Sequence, residues 1–330
     1  MRIAVDAMGG DHAPHNLIAG TREALSAFPD VEVVLVGDER VLKRELRKFP
    51  DEGRLRVVHA SEVIGMEEAP AAAIQKKKDA SIAVAVRLQK DGEAEAVVSA
   101  GNTGAVVVSS LLELGRIKGV SRPAIAAPFP TKEGVCVLLD AGANPVARPK
   151  WMLQFAVMGS LYANHILGVR KPKVGLLSIG EESSKGNDLI VEAHSLLKGS
   201  GLRFIGNVEG RDILSGVADV IVCDGFVGNV LLKFTESIMD FFSASLRTKV
   251  SKDLLRRLGA LLLRPAIQEL KQEMDYEEYG GAPLLGVNGV VVKCHGSSSP
   301  KAIKNAFGVA RRMCLEKINE HIMKNIREDK

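Results

Sequence analysis

The sequence predicts an α/β fold: a three-layer, mostly parallel, doubly wound sheet in two lobes, with a helical hairpin projecting from it. Short runs rich in valine, isoleucine and leucine alternate with longer segments of helical periodicity, which is the pattern of βαβ units. The runs are continuously apolar rather than alternating, as expected for strands that are buried on both faces. With 330 residues, of which 46% are hydrophobic, the chain can build a large core.

The apolar runs are expected to form the strands. They occupy residues 3–5, 31–36, 55–58, 96–98, 124–127, 135–139, 174–179, 204–205, 220–222 and 290–292. No repeat, low-complexity tract or Gly/Ser linker separates them, so we predict one domain over residues 1–330, built of two α/β lobes. The C-terminal segment, from 299 to about 327, is predicted to form one amphipathic helix that packs on the rest.

The segment from about 230 to 278 lacks this alternation of strands and helices, because it carries a helical pattern and no strand pattern. It is the predicted hairpin, and its leucines follow helical spacing among basic residues. The tip has three interpretations: packing in the core or in a dimer, docking of an acidic protein, or contact with anionic lipid. The residues concerned are Arg256, Arg257, Leu258, Leu261, Leu262, Leu263 and Arg264.

Composition and charge argue against several classes of protein. The net charge is only +4, the basic residues are dispersed and aromatic residues make up 4%, so general nucleic-acid binding is not expected. The cysteines lack CxxC-type spacing and are interpreted as buried thiols in a reducing compartment. Neither a signal peptide nor an uncharged apolar run of the ~18 residues that a spanning helix needs is found. We therefore expect a cytoplasmic protein, or one attached only to a membrane surface.

Several predicted strands end in a glycine-containing loop with polar side chains. Because the carboxyl ends of strands in an open parallel sheet face one crevice, these loops are expected to line a shared cleft. Glycine lets the backbone approach a ligand closely, and asparagine supplies a neutral donor that suits phosphate or a developing oxyanion. The residues predicted to contact phosphate or such an oxyanion are Gly9, Gly10, Asp11, Gly101, Asn102, Thr103, Asp140, Asn144 and Gly228.

Motifs for other chemistries are absent from the sequence. There is no GxGxxG fingerprint after the first strand, no GxxxxGK[ST] phosphate loop and no GxSxG nucleophile elbow. Asp6, Asp11, Asp140 and Asp224 lie at strand ends, where acids commonly cap the next element. Neither a metal site nor a cofactor is therefore predicted.

Eight blocks of the sequence resemble those of the bacterial phosphate acyltransferase (PlsX) family. The first is the opening MRIAVDAMGGDHAP at residues 1–14. The others follow in order: SAGNTG at 99–104, GRIKG at 115–119, DAGAN at 140–144, GNVEGRD at 206–212, DGFVGN at 224–229, YGGA at 279–282 and HGSS at 295–298. They run through nearly the whole chain, so the resemblance is far more specific than any single glycine motif.

The resemblance implies an activity, partners and a fold. It implies transfer of a fatty acyl group from the thioester of acyl carrier protein to inorganic phosphate. The acyl phosphate would then feed a membrane glycerol-3-phosphate acyltransferase in phospholipid synthesis. The implied fold is similar to that of the isocitrate and isopropylmalate dehydrogenases and of phosphate acetyltransferase. A homodimer and a peripheral contact with an anionic membrane surface are also implied.

The reaction requires no covalent acyl-enzyme. Phosphate groups with a second pKa of ~6 are mostly dianionic near neutral pH, so phosphate can attack the thioester directly. Within the resemblance, Lys185 is expected to supply positive charge and Asn229 to donate to the oxyanion. His12 and His295 are candidates for proton donation to the sulfur or for hydrogen bonds to phosphate.

Three other functions are weighed against this one. A phosphate acetyltransferase-like enzyme would use acyl-coenzyme A as its donor. A dehydrogenase of the same broad fold would need a nicotinamide-binding motif and an acidic metal cluster, which the sequence lacks. A non-catalytic scaffold that binds lipid or carrier protein would have no use for converging loops rich in glycine and asparagine.

Overall fold

A computed structural model describes residues 1–49, 53–250, 254–273 and 276–326. The strands are β1 (Arg2–Asp6), β2 (Glu32–Gly37), β3 (Leu55–His59), β4 (Ala96–Ser99), β5 (Ala124–Ile125), β6 (Ala127–Thr131), β7 (Gly134–Leu139), β8 (Lys173–Leu177), β9 (Arg203–Val208), β10 (Val220–Val222), β11 (Ala282–Leu285) and β12 (Val290–Lys293). The helices are α1 (His15–Ala27), α2 (Glu39–Leu46), α3 (Pro70–Lys76), α4 (Ser81–Lys90), α5 (Thr103–Glu113), α6 (Pro149–His165), α7 (Asp188–Lys198), α8 (Gly225–Val250), α9 (Leu254–Leu262), α10 (Arg264–Glu273), α11 (Pro300–Leu315) and α12 (Ile318–Asn325).

The strands form two sheets, one in each lobe. The larger has the order β3-β2-β1-β4-β12-β11-β5, and the smaller has the order β6-β7-β10-β8-β9. Strands β3, β2, β1, β4 and β12 pair in parallel, as do β7, β10, β8 and β9. Among the strands that the structure describes, β11 and β6 pair antiparallel with their neighbours. The predicted two-lobed, mostly parallel α/β architecture is therefore confirmed.

The central strands of both sheets are buried on both faces, as their continuous apolar runs predict. Val5 of β1 and Val220 of β10 are fully buried in the same apolar cluster, although they belong to different sheets. One core thus joins the two lobes, and the single domain stays a prediction.

The helical segment begins earlier than predicted. Helix α8 starts at Gly225, because the side chain of Asp224 accepts a hydrogen bond from the backbone N–H of Val227 at 2.9 Å and so caps its first turn. It continues to Val250 and is followed by α9 and α10. Residues 251–253 and 274–275 of the predicted hairpin lie outside the described residues. None of the helices that the structure describes combines the length and the apolarity needed to cross a bilayer.

Apart from strand ends that shift by one to three residues, three features differ from the sequence prediction. The run 124–127 is divided between β5 and β6, which belong to different sheets. Strand β11 is an additional strand that the sequence pattern does not indicate, because Pro283 interrupts a short apolar run. The C-terminal helix is two helices, since Lys317 adopts a left-handed conformation with φ of 49° between α11 and α12.

Candidate active site

A cleft of about 250 Å³ opens between the carboxyl ends of the two sheets. Lining residues on the side of the larger sheet come from strand β12 and from the start of α5, which follows β4. On the side of the smaller sheet they come from the loop after β7. The polar lining residues are Thr103, Asn229, Lys233, Glu236, Lys293 and His295. The apolar lining residues include Ile125, Ala127, Ala141, Leu232 and Ala282. The cleft thus offers both polar and apolar surface to a ligand.

Helix α8 supplies half of the polar lining from one face. Asn229, Lys233 and Glu236 are spaced at i, i+4 and i+7, so their side chains project from the same side of the helix. An amide, an ammonium and a carboxylate therefore face the cleft together.

Helix α5 begins at the cleft, and Asn102 is its N-cap. The Asn102 Oδ1 accepts a hydrogen bond from the backbone N–H of Ala105 at 3.1 Å. Its Nδ2 group donates to the carbonyls of Gly65, Met66 and Glu68 at 3.3, 2.9 and 3.1 Å. The Asn102 side chain is thus engaged within the protein, and it directs the positive end of the α5 dipole and Thr103 toward the cleft.

Asp140 organises the loop after β7 from a buried position. Its Oδ1 accepts from the backbone N–H groups of Ile125, Gly142 and Ala143 at 2.9, 3.2 and 3.0 Å. Its Oδ2 accepts from the backbone N–H and the amide group of Asn144 at 2.7 and 2.9 Å. Burial raises the pKa of the Asp140 carboxyl, and these donors oppose the rise. Both carboxylate oxygens of Asp140 are occupied by protein groups.

Asn144 connects the loop after β7 to two other parts of the chain. Its side-chain amide group also donates to the carbonyl of Pro123 at 2.7 Å, and its backbone carbonyl accepts from the N–H of Gly225 at 2.9 Å. This last bond attaches the start of α8 to the loop, so Asp140 and Asn144 together fix the helix that carries Asn229.

The glycines of the first loop allow three strand ends to approach one another. The backbone N–H of Asp11 donates to the carbonyl of Gly296 at 2.8 Å. Gly10 has a φ of +103°, and a Cβ built on it would lie 2.9 Å from the same carbonyl. A Cβ on Gly9 would lie 2.8 Å from the backbone nitrogen of Gly101. The loops after β1, β4 and β12 are therefore packed closely, as their shared sheet edge predicts.

The structure separates the predicted catalytic residues into two groups. Asn229 and His295 line the cleft. The His295 Nδ1 lies 2.7 Å from the hydroxyl of Ser297, and its Nε2 lies 3.5 Å from a carboxylate oxygen of Glu236. His12 is exposed in the loop after β1, and Lys185 is exposed in the loop after β8. Neither is among the residues that line the cleft.

Sequence reasoning missed Lys233, Glu236 and Lys293. A weak signal exists for two of them, because Lys293 is a charged residue that ends an apolar strand, and Lys233 lies one helical turn after Asn229. The Lys293 side chain is buried, with 8% of the residue exposed. Burial lowers the pKa of its ammonium to about 8.

The thiols of the chain are protonated at neutral pH. Cys136, Cys223 and Cys294 are buried, and Cys294 lines the cleft. Burial raises the pKa of Cys294 to about 12, which makes it a poor nucleophile. Among the residues that the structure describes, no group of three or more His, Cys, Asp or Glu side chains is arranged to hold a metal ion.

Comparison with known proteins identifies the family. The family model described as "Fatty acid synthesis protein" matches residues 1–321. A phosphate acyltransferase of Heliobacterium modesticaldum is 53% identical over 328 residues, which cover 98% of this chain and 98% of the relative. The chain belongs to the phosphate acyltransferase family. The resemblance carried by the sequence blocks is therefore confirmed, and it extends over the whole cleft.

Solved structures of other enzymes have the same fold. A phosphotransacetylase from Streptococcus pyogenes superposes with a TM-score of 0.64 at 18% identity, covering 96% of this chain and 94% of the other. A 4-hydroxythreonine-4-phosphate dehydrogenase from Klebsiella pneumoniae superposes with a TM-score of 0.54 at 12% identity, covering 95% and 99%. Phosphate acyltransferases thus share an architecture related to the isocitrate dehydrogenase type, as predicted.

Proposed function

We propose that this chain transfers a fatty acyl group from acyl carrier protein to inorganic phosphate, giving acyl phosphate for phospholipid synthesis. Its membership of the phosphate acyltransferase family supports acyl transfer to phosphate. The observation that supports the cleft as the place of reaction is the convergence of Asn229, Lys233 and His295 with the amino terminus of α5.

Phosphate binds where positive charge and N–H donors face the cleft. Lys233 supplies a cation, and Thr103 at the start of α5 adds a hydroxyl beside the positive end of a helix dipole. His295, held between Ser297 and Glu236, presents a ring edge to the same space. Holding phosphate against the thioester can supply up to ~7–11 kcal/mol of the barrier reduction in ideal cases.

Asn229 stabilises the tetrahedral intermediate. A phosphate oxygen forms a bond to the carbonyl carbon, and the carbonyl oxygen becomes an oxyanion that accepts a hydrogen bond from the Asn229 amide. Collapse of this intermediate breaks the carbon–sulfur bond and releases acyl phosphate. The buried cysteines have raised pKa values, which supports direct attack by phosphate rather than an acyl-cysteine.

The apolar part of the cleft receives the start of the acyl chain. Ala127, Ala141 and Ala282 are small, so they leave room beside Ile125 and Leu232. Carbon atoms next to the thioester would lie against these side chains, out of water.

The remaining predicted site residues act by positioning the cleft. Asn102, Asp140 and Asn144 hold the starts of α5 and α8 through their hydrogen bonds. The close-packed glycines are Gly9, Gly10, Gly101 and Gly228, and Asp11 joins the loop after β1 to Gly296. Lys185 stays the predicted source of positive charge, and His12 stays a candidate for proton donation to the sulfur or for a hydrogen bond to phosphate.

An apolar stripe on α8 supports a homodimer. Phe226, Val230, Phe234, Phe241 and Phe242 are 65%, 52%, 59%, 76% and 54% exposed. An apolar surface of this kind on a single helix marks an interaction site. We propose that a second copy of the chain covers it, as the resemblance implies.

The hairpin tip supports contact with a membrane. Leu258, Leu261, Leu262 and Leu263 are 52%, 61%, 83% and 60% exposed, which disfavours packing in the core of one chain. Arg256, Arg257 and Arg264 are exposed around them. Leucines among arginines suit the surface of an anionic bilayer. A cytoplasmic enzyme held there would release acyl phosphate beside the membrane glycerol-3-phosphate acyltransferase.

The test is phosphate-dependent release of acyl phosphate by the purified full chain. Acyl carrier protein and coenzyme A thioesters of the same fatty acid are compared as donors, with and without phosphate. A higher kcat/KM with the carrier-protein thioester is expected. A preference for acyl-coenzyme A would instead support the phosphate acetyltransferase-like alternative. If neither donor gives phosphate-dependent release of acyl phosphate, the non-catalytic scaffold is the alternative that remains.

A further inference from the structure

Asp6, Ser99 and Lys293 form one row across three neighbouring parallel strands. In the register of the larger sheet, Ser99 of β4 lies opposite Asp6 of β1 on one side and opposite Lys293 of β12 on the other. Residues in register on neighbouring strands direct their side chains to the same face of the sheet. Each of the three is the last residue of its strand. The row therefore lies at the carboxyl edge, where the cleft opens.

Asp6 is buried and held from two sides. It is 2% exposed, its Oδ1 accepts from the hydroxyl of Ser81 at 2.6 Å, and its Oδ2 accepts from the hydroxyl of Ser99 at 2.7 Å. A buried carboxyl with so many donors has a fixed orientation. Burial raises the pKa of the Asp6 carboxyl, and the two serine hydroxyls oppose the rise by favouring its charged form.

Lys293 is a buried amine that still reaches the cleft. The residue is 8% exposed and lines the cleft beside His295. Its Nζ donates to the carbonyl of Cys294, which leaves N–H groups for a ligand because an ammonium carries three. Burial of a charged group is costly, and the fold does not require a cation at this position. In the proposed function, phosphate is already bound by Lys233 and the start of α5.

The charged and titratable groups around Lys293 come from several elements. Asp6 of β1, Asp11 of the first loop and the neighbouring Cys294 favour its protonated form, whereas burial and Lys233 of α8 disfavour it. Glu236 and His295 line the same cleft. The resulting pKa of about 8 lies close to the ~8.5 of an ordinary thiol. A proton donor works best when its pKa is near the working pH.

We propose that Lys293 donates the proton that the carrier-protein sulfur takes up as it leaves, and that Asp6 is a positioning residue for its ammonium. This inference rests on the proposed function. As the carbon–sulfur bond of the tetrahedral intermediate breaks, its electron pair passes to sulfur, and a proton passes from Nζ of Lys293 to that sulfur. The free thiol departs, and the neutral amine regains a proton from water.

The first test compares two leaving groups in Lys293→Met. The donors are acyl carrier protein and the 4-nitrothiophenyl ester of the same fatty acid, whose thiolate needs no proton to leave. Turnover of acyl carrier protein is expected to fall by ~10²–10⁴-fold, the usual contribution of a general acid, and turnover of the aryl ester by much less. Lys293→Arg keeps the positive charge but does not release a proton near neutral pH, so it should behave like Lys293→Met.

Two outcomes would overturn the inference. Equal losses on both donors would show that Lys293 does not act on the sulfur. A raised KM for phosphate with unchanged leaving-group dependence would show that Lys293 binds phosphate instead. In both cases the parent protein would still form acyl phosphate, whereas failure of the proposed function would leave the parent inactive.

The second test is the pH profile. Because the protonated amine is the active form, the parent rate should fall above about pH 8, the pKa of Lys293. Asp6 favours the protonated amine, so Asp6→Asn should move this falling limb to lower pH. Asp91→Asn, which alters an exposed acid at the end of α4, is the matched control and should leave the limb in place. If Asp6→Asn does not fold, Ser99→Ala removes one of the hydroxyls that lower the pKa of the Asp6 carboxyl, so this group carries less negative charge and the limb should move in the same direction. If the rate of the folded variant falls at the same pH as that of the parent protein, Asp6 does not have this role.

Discussion

Gly228 of α8 packs directly on the carbonyl oxygen of Asp140, so closely that a Cβ built on Gly228 would overlap this oxygen. One turn earlier, a Cβ on Gly225 would lie 2.7 Å from the carbonyl oxygen of Asn144. The two glycines let the first turn of α8 rest on the loop after β7. Asn229 follows Gly228 immediately, so this contact determines where the proposed oxyanion donor stands.

Gly228→Ala is expected to lower the free energy of unfolding by about 1–3 kcal/mol, because overpacking in a close contact costs that much. Gly259→Ala in α9 is the matched control. Outside the backbone of its own helix, no atom of the described residues lies within 4 Å of the position that the added methyl group would take. The better helix propensity of alanine should therefore raise stability by up to ~1 kcal/mol. Urea denaturation measures both. A Gly228→Ala protein as stable as the parent would contradict the contact.

Asn229→Ala is expected to reduce kcat by ~10²–10³-fold, as loss of one oxyanion donor does elsewhere. Ser237→Ala changes an exposed residue further along the same helix and should leave turnover unchanged. Steady-state kinetics with acyl carrier protein and phosphate give both values. Near-normal kcat in a folded Asn229→Ala protein would rule out the assigned role.

Lys185→Ala tests the residue that the structure places outside the cleft lining. If its ammonium contacts the substrate, its loss should cost about 1.5–3 kcal/mol of transition-state binding, roughly 10- to 100-fold in kcat/KM. Lys132→Ala is the control, since Lys132 lies in the turn between β6 and β7, at the opposite edge of the sheet. Equal kcat/KM values for the two variants would show that Lys185 does not contact the substrate.

Replacement of all the cysteines by alanine should leave turnover largely intact, because direct attack by phosphate uses no thiol. The residues are Cys136, Cys223, Cys294 and Cys314. Mass spectrometry of the parent protein, mixed with acyl donor in the absence of phosphate, should show no acyl adduct. An adduct on a cysteine, together with loss of activity in the variant, would require a covalent intermediate.

Leu258→Glu combined with Leu262→Glu should abolish sedimentation of the protein with anionic liposomes. Two charges would replace apolar side chains that are 52% and 83% exposed at the hairpin tip. Leu112→Glu with Leu315→Glu is the matched control, because these leucines are 64% and 56% exposed on other helices. Unchanged sedimentation of the hairpin variant would exclude this tip as the membrane contact.

The cleft was predictable only in part. Asn229, Thr103 and His295 line it as expected, because parallel strands that end at one edge bring their following loops together. Asn102 and Asp140 lie at the predicted strand ends, and their polar side-chain atoms bond to other groups of the protein. A sequence shows which residues follow a strand, but it does not show whether a side chain turns toward a ligand or back into the protein.

The sequence by itself determined the fold class, the family and the strand ends at which the cleft forms. These depend on local information: buried strands are continuously apolar, and each glycine block follows its strand directly. Only the tertiary structure decided that Lys293 and Asp6, 287 positions apart in the chain, belong to one row. That relationship depends on strand order and register, which place β12 beside β4 and β4 beside β1. No local pattern encodes such long-range pairing.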